Sequence, residues 1–213
     1  MQLAKKSYTA ETAETAENLM REVIKGNNLA FSEIYDRWSK PMLNYFYKML
    51  WQDREKAEDF MQEIFTKIIH KPQLYNPSRA FKTWIYSVAN NMCKNEYRRT
   101  EVRKGTSNGL HDNIIVHDNS APDKEHDKNI FNDRLKEELE LLSENHKKTF
   151  ILRFKHDLSI KDIAEILETS EGTVKSRIFY TLKKLGKNLK EFSPVAKTMM
   201  LGMCLIEFIK YII

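Results

Sequence analysis

The chain has 213 residues, 41% hydrophobic and 31% charged, with a formal net charge of +5, six glycines and five prolines. That length holds two small domains, and abundant Leu, Ile, Met, Lys and Glu with no convincing alternating strand pattern make the fold class all-α. The two cysteines, Cys93 and Cys204, form no CxxC pair. Neither a disulfide nor a zinc site is expected, and both read as reduced packing residues of a cytoplasmic protein.

Residues 1–17 lack the apolar run of a secretory signal, and their paired ETAE is too short for a repeat architecture, so they are expected to be a flexible leader. The first domain is assigned to residues 18–104. From Asn18 to Met49, apolar residues including Leu19, Val23, Ile34, Trp38 and Phe46 fall at the spacing of two packed helices, broken at Gly26-Asn27-Asn28. Pro41 is expected to end or kink the second helix, because it has no backbone N–H to donate. Asp53 to Ile69 carries an apolar stripe (Ala57, Phe60, Met61, Ile64, Phe65, Ile68) opposite the acids Glu55, Glu58, Asp59 and Glu63.

A short loop from Gln73 to Ser78 then leads into a long helix, from about Arg79 to Lys104, whose start Pro77 and Ser78 mark. Seven basic residues, among them Lys94, Arg98 and Arg99, stand on it against Glu96 and Glu101, interleaved with Phe81, Trp84, Tyr86 and Tyr97. Such a mixture suits unpaired bases, each aromatic stack contributing about 1–3 kcal/mol while the cations track phosphates. Phe81 and Trp84 read as core; Tyr86, Asn90 and Tyr97 read as the freer residues.

Residues 105–127 hold five acids against Lys124 alone and few apolar side chains, the composition of an acidic, flexible linker. His111, His117 and His126 are too loosely spaced for a metal site, and none is expected. The second domain is assigned to residues 128–192. Ile130 to Leu142 and Glu144 to Phe154 supply two helices, with Ser143 as a cap between them.

Leu158 to Leu185 then reads as a helix, a tight turn and a basic helix. Ser159 with Asp162 gives a capping pattern before Ile160, Ile163, Ala164 and Leu167, and Ser170 caps a second helix with Val174, Ile178, Leu182 and Leu185 inside. Its other face carries Thr173, Lys175, Ser176, Arg177, Tyr180, Lys183 and Lys184. From Ser170 to Lys190, six basic residues face one acid, Glu171. A second helix of this kind lays its N-terminal polar residues against base edges in the major groove.

Residues 193–213 form an apolar C-terminal extension interrupted by Lys197, Glu207 and Lys210, which disfavours a membrane span. The extension reads as a helix packed on the second domain or on a partner, or as a restraint on activity. No paired carboxylates, nucleophile motif or glycine-rich phosphate loop is present, so no enzymatic activity, cofactor or small-molecule substrate is expected.

Three segments in this order, AEDFMQEIFTKI (Ala57 to Ile68), FKTWIYSVANNMCKNEYRR (Phe81 to Arg99) and LSIKDIAEILETSEGTVKSRIFYTLKKL (Leu158 to Leu185), resemble the polymerase-binding helix, the promoter-melting helix and region four of bacterial extracytoplasmic-function (ECF) RNA polymerase sigma factors. The resemblance implies a two-domain initiation factor that binds core RNA polymerase and promoter DNA, with an anti-sigma factor as a further partner. Asp59, Gln62 and Glu63 match contacts to the clamp helices of the largest polymerase subunit. The loop from Leu74 to Ser78 matches the element that captures a base flipped from the downstream −10 element, with Asn76 as its reader. Tyr86, Asn90, Lys94, Tyr97, Arg98 and Arg99 fall to the −10 and melting region. Thr173, Lys175, Ser176, Arg177, Phe179 and Tyr180 fall to the upstream −35 element, although related sequences often carry a basic residue where Tyr180 stands.

Two rival readings follow from parts of the chain. A regulator of the response-regulator output type shares the helix-turn-helix but binds duplex DNA unaided and has no use for the first domain. A membrane-tethered interaction protein rests on the C-terminal extension alone.

Overall fold

A computed structural model describes residues 15–106 and 134–188, which fall into two compact units, one built on four N-terminal helices and one on four C-terminal helices. Among the described residues every regular element is helical. The leader up to residue 14, residues 107–127 of the expected linker with their histidines, and the extension 193–213 with Cys204 lie outside the described residues.

The first unit begins earlier than the sequence pattern suggests. Helix α1 (Ala16–Ile24) opens within the segment assigned to the leader, because Thr15 Oγ1 accepts a hydrogen bond from the Asn18 amide at 3.2 Å and Leu19, Met20 and Val23 bury one face. It closes at Gly26, whose φ of 89° lets the Asn27 amide reach back to the Glu22 carbonyl at 3.0 Å. Asn27 then caps α2 (Asn28–Met49) by accepting from the Leu29 and Ala30 amides.

Of the two outcomes expected at Pro41, an end or a kink, the end does not occur: α2 runs through it as one helix of 22 residues. Met42, Tyr45, Phe46 and Ile34 are fully buried on either side of it. Packing of that face outweighs the backbone bond that proline cannot make, a defect of about 3 kcal/mol in an exposed helix interior.

Helix α3 (Arg54–His70), capped by Asp53, buries Ala57, Met61, Ile64, Phe65 and Ile68. Phe60 is only half-buried, its ring 5.6 Å from that of Phe46. A single 3-10 turn (Pro72–Leu74) leads to α4 (Phe81–Thr106), which starts two residues later than the pattern suggests and continues into the expected linker. Phe81, Trp84, Ile85, Tyr86, Ala89, Met92 and Cys93 lie inside, so the expectation of a packing cysteine holds at Cys93.

In the second unit, α5 (residues 134–140), α6 (Glu144–Phe154), α7 (Ile160–Ile166) and α8 (Glu171–Asn188) give the expected four helices. The core holds Phe150, Ile151, Leu152, Leu158, Ile163, Val174, Ile178, Leu182 and Leu185. The far end of α8 is fastened to α5: Lys184 Nζ donates to the Leu141 carbonyl at 3.0 Å, and Asn188 Nδ2 donates to the buried Glu138 carboxylate at 2.6 Å.

Candidate nucleic-acid and protein interfaces

The α3 stripe turns Asp59, Gln62 and Glu63 outward together, all three exposed. Glu63 pairs with Lys67 one turn on at 2.6 Å, an exposed i,i+4 contact worth about 0.3–0.5 kcal/mol. Asp59 and Gln62 are left as an acceptor-rich ledge. Behind this face, Lys56 Nζ lies 3.0 Å from the buried Glu96 carboxylate on α4 and 5.4 Å from the Trp51 ring centroid, which ties α3 to α4.

The segment from Lys71 to Ala80 is closed by its own hydrogen bonds. Tyr75 is buried against the rings of Phe81 and Trp84, at 5.6 and 5.1 Å, and its hydroxyl donates to the Arg79 carbonyl at 2.6 Å. Burial pushes that hydroxyl above the usual tyrosine range, and the nearby Glu17 carboxylate adds to the shift. Asn76 is exposed at the turn, its Oδ1 accepting from the Ser78 amide at 3.0 Å and the Ser78 hydroxyl at 2.8 Å. Its carboxamide oxygen is therefore occupied by the turn, which leaves the NH2 as its donor group.

Three residues expected on the exposed side of α4 have other places. Tyr86 is buried, its ring 5.4 Å from that of Tyr45 and 6.4 Å from that of Trp38, and burial drives its hydroxyl well above the usual tyrosine range. Asn90 is also buried. Tyr97 is half-buried with its ring 5.3 Å from Trp51, and its hydroxyl donates to the Met49 carbonyl at the end of α2. Large rings on a helix packed along most of its length are more valuable inside than as stacking platforms. Arg98 and Arg99 do stand in solvent with Val102 and Arg103 on the last turns of α4, and Lys94 is half-buried.

The helix-turn-helix forms as its capping residues require. The Ser159 hydroxyl accepts from the Asp162 amide at 3.1 Å and donates to its carboxylate at 2.5 Å, while the Ser159 amide reaches the same carboxylate at 3.3 Å. Helix α7 ends with Glu168 at a φ of 51°, and the Thr169 amide returns to the Ala164 carbonyl at 2.9 Å. Ser170 then caps α8, accepting from the Thr173 amide at 3.1 Å, with the two hydroxyls 2.9 Å apart.

On α8, Lys175 and Ser176 are exposed, Thr173 and Arg177 are half-buried, and the Ser176 hydroxyl donates to the Thr173 carbonyl at 3.0 Å. Phe179 and Tyr180 are 61% and 60% exposed with rings 5.5 Å apart, large apolar surfaces beside the basic residues. The structure brings all six expected −35 residues onto the first three turns of one helix. Lys184, counted by sequence with the basic face, is a clamp on α5 instead.

Two helical units, the second a helix-turn-helix with a basic, aromatic-flanked second helix, define a DNA-binding protein with a separate helical domain. The Sigma-70 region 2 family matches residues 34–103 and the Sigma-70, region 4 family matches residues 132–185. The chain is 30% identical over 161 residues to ECF RNA polymerase sigma factor SigL of Mycobacterium tuberculosis (strain ATCC 25618 / H37Rv), covering 74% of this chain and 88% of that protein. It is 27% identical over 179 residues to ECF RNA polymerase sigma factor SigW of Bacillus subtilis (strain 168), covering 81% of this chain and 95% of that protein.

In fold it is similar to the sigma factor RpoE crystallised with the anti-sigma factor NepR from Bartonella quintana, with a TM-score of 0.62 at 21% identity over 75% of this chain and 96% of that one. CnrH in complex with the cytosolic domain of CnrY gives a TM-score of 0.61 at 18% identity over 84% of this chain and 99% of that one. The chain belongs to the ECF RNA polymerase sigma factor family, and it is a transcription initiation factor, not an enzyme. The response-regulator reading is not favoured, because the first unit matches Sigma-70 region 2. Among the described residues no helix is long and apolar enough to cross a membrane.

Proposed function

We propose that this sigma factor engages core RNA polymerase through the α3 face and promoter DNA through two separate surfaces. The ordered pair of region 2 and region 4 matches on one chain carries the reading. Asp59, Gln62 and Glu63 supply carboxylates and an amide, exposed together, for the clamp helices of the largest polymerase subunit. In the second unit, Lys175, Ser176 and Arg177 read or hold the −35 element, with Thr173 at the mouth of the groove. Phe179 and Tyr180 offer apolar faces suited to thymine methyl groups.

At the −10 element, Asn76 reads a flipped base with its NH2, and the turn bonds from Ser78 to its Oδ1 fix its orientation. Extracting that base costs a few kcal/mol, which a preformed pocket edge offsets. Arg98, Arg99 and Lys94 hold phosphates beside the melted region. Tyr86 and Tyr97 are left out of that surface and serve the fold. The chain acts in the cytoplasm, where polymerase and promoters are, and an anti-sigma factor is its further partner, a reading supported by the shared fold with RpoE, which was crystallised with the anti-sigma factor NepR.

The test is co-elution with purified core polymerase in gel filtration. The native chain is expected in the polymerase peak, and Asp59→Lys/Glu63→Lys, at exposed positions that leave the fold intact, is expected to lose it. Equal co-elution would remove the α3 face from the interface.

A further inference from the structure

The loop that presents Asn76 is anchored from outside by one residue of the N-terminal helix. Glu17, on the first turn of α1, accepts a hydrogen bond at 2.8 Å through its Oε1 from the Phe81 amide, across 64 positions of sequence. That amide is the first of α4, a donor with no partner inside its own helix. A carboxylate there satisfies the donor and matches the positive end of the α4 dipole.

The geometry between this cap and Asn76 is short and stiff. The Arg79 amide donates to the Asn76 carbonyl at 3.0 Å, and the Arg79 carbonyl accepts from Tyr75 at 2.6 Å. Tyr75, only 2% exposed, is wedged against the Phe81 and Trp84 rings, and the Trp38 ring packs on Phe81 at 5.3 Å. On the α3 side the segment is fixed by backbone bonds from Leu74 to Lys71 and from Tyr75 to Pro72, both 3.1 Å. On the α4 side, Glu17 ties the first amide of that helix to α1. A loop held at both ends and by a buried ring in its middle holds Asn76 in one orientation.

We propose that Glu17 is a positioning residue for −10 base selection, acting through the Phe81 amide and the Tyr75–Arg79 closure to set the direction in which Asn76 donates. The inference rests on the reading of Asn76 as the base reader. Helix α1 is then part of the promoter-reading apparatus through its bond to the Phe81 amide.

The experiment uses the full chain with core polymerase on a promoter library randomised across the −10 element, with run-off transcripts sequenced. It yields a base-preference ratio at each position, a readout that a general loss of stability or polymerase affinity scales out. Four proteins are compared: native, Asn76→Ala, Glu17→Ala and Glu17→Gln, whose amide oxygen can still accept from the Phe81 amide. The expected result is one position whose preference falls about fivefold or more in Asn76→Ala and in Glu17→Ala, and returns toward the native ratio in Glu17→Gln.

If Asn76→Ala flattens that position while Glu17→Ala keeps the native ratio, the positioning role is wrong and the base reader stands. If Asn76→Ala changes no position, the reader itself is wrong and the inference goes with it. A uniform fall in transcript yield with native ratios in Glu17→Ala would make Glu17 a cap for the fold only.

Discussion

The ion pair between Lys56 and Glu96 gives an asymmetric prediction. Its ammonium and carboxylate are 3.0 Å apart, with side chains 32% and 9% exposed, and it joins α3 to α4. At an effective dielectric constant of 20 the gross attraction is about 5.5 kcal/mol, most of it offset by the cost of taking the carboxylate out of water. The two single deletions therefore differ. Lys56→Met leaves a buried carboxylate without its cation and also removes the ammonium over Trp51, 5.4 Å from the ring centroid. Loss of one partner of a buried pair costs about 3–5 kcal/mol, and the partial exposure of Lys56 places this one near the lower end.

Glu96→Gln leaves a lysine that can turn to solvent, and is expected to cost about 1 kcal/mol. In the double variant Lys56→Met/Glu96→Gln most of the Lys56→Met deficit is expected to return, since no bare charge remains. All three tryptophans, Trp38, Trp51 and Trp84, lie in the first unit, so urea unfolding followed by tryptophan fluorescence reports on that unit. Equal losses in the two single variants, or a double variant at the sum of both, would refute the claim that a desolvated carboxylate sets the energetics of this contact.

Tyr97→Phe keeps the ring beside Trp51 and removes the hydroxyl bonded to Met49, so it is expected to lower urea stability by about 1 kcal/mol while permanganate reactivity of promoter thymines in the open complex stays native. Lost thymine reactivity at native stability would return Tyr97 to the melting surface. Ser159→Ala removes the cap of α7 and, at about 1 kcal/mol, is expected to raise amide hydrogen exchange in its first turn about fivefold, with Ser159→Asp restoring protection.

The third effect concerns alkaline pH. The folded state retains the Tyr86 proton where the unfolded chain releases it near pH 10, so this stabilisation is complete below about pH 10 and is lost as pH rises above it. The urea midpoint of the native chain is expected to fall between pH 10 and 11.5, and that of Tyr86→Phe to fall less. Parallel declines would show that Tyr86 is not the group being titrated.

The helix-turn-helix was legible because its signals are local: two serines at cap positions and an apolar stripe of helical period. The α3 face was legible for the same reason, since acids and apolar residues divide cleanly along one helix. On α4 the division fails. Buried residues occupy so wide a sector, from Phe81 through Tyr86 to Cys93, that spacing cannot separate a core tyrosine from an exposed one.

Helix ends show the same limit. Helices α1, α2 and α7 each end at a left-handed residue with an amide returning five residues back, yet only at α1 is that residue a glycine. Trp51 and Glu168, with φ of 55° and 51°, take the same role against their own preference and gave no sequence signal. Glu17, Lys56 and Lys184 were invisible for another reason. Their partners are 64, 40 and 43 positions away, and only the folded chain brings them together.

The central claim is that this chain makes core polymerase promoter-specific. Run-off transcription with purified bacterial core polymerase, with and without the full chain, on a library of promoter fragments from its own genome tests it directly. The account predicts chain-dependent transcripts that share an upstream and a downstream element at fixed spacing, lost on those promoters with Arg177→Ala, whose missing contact costs about 1–3 kcal/mol. With core polymerase shown to be competent, no chain-dependent transcript, together with tight duplex binding by the chain alone, would contradict it.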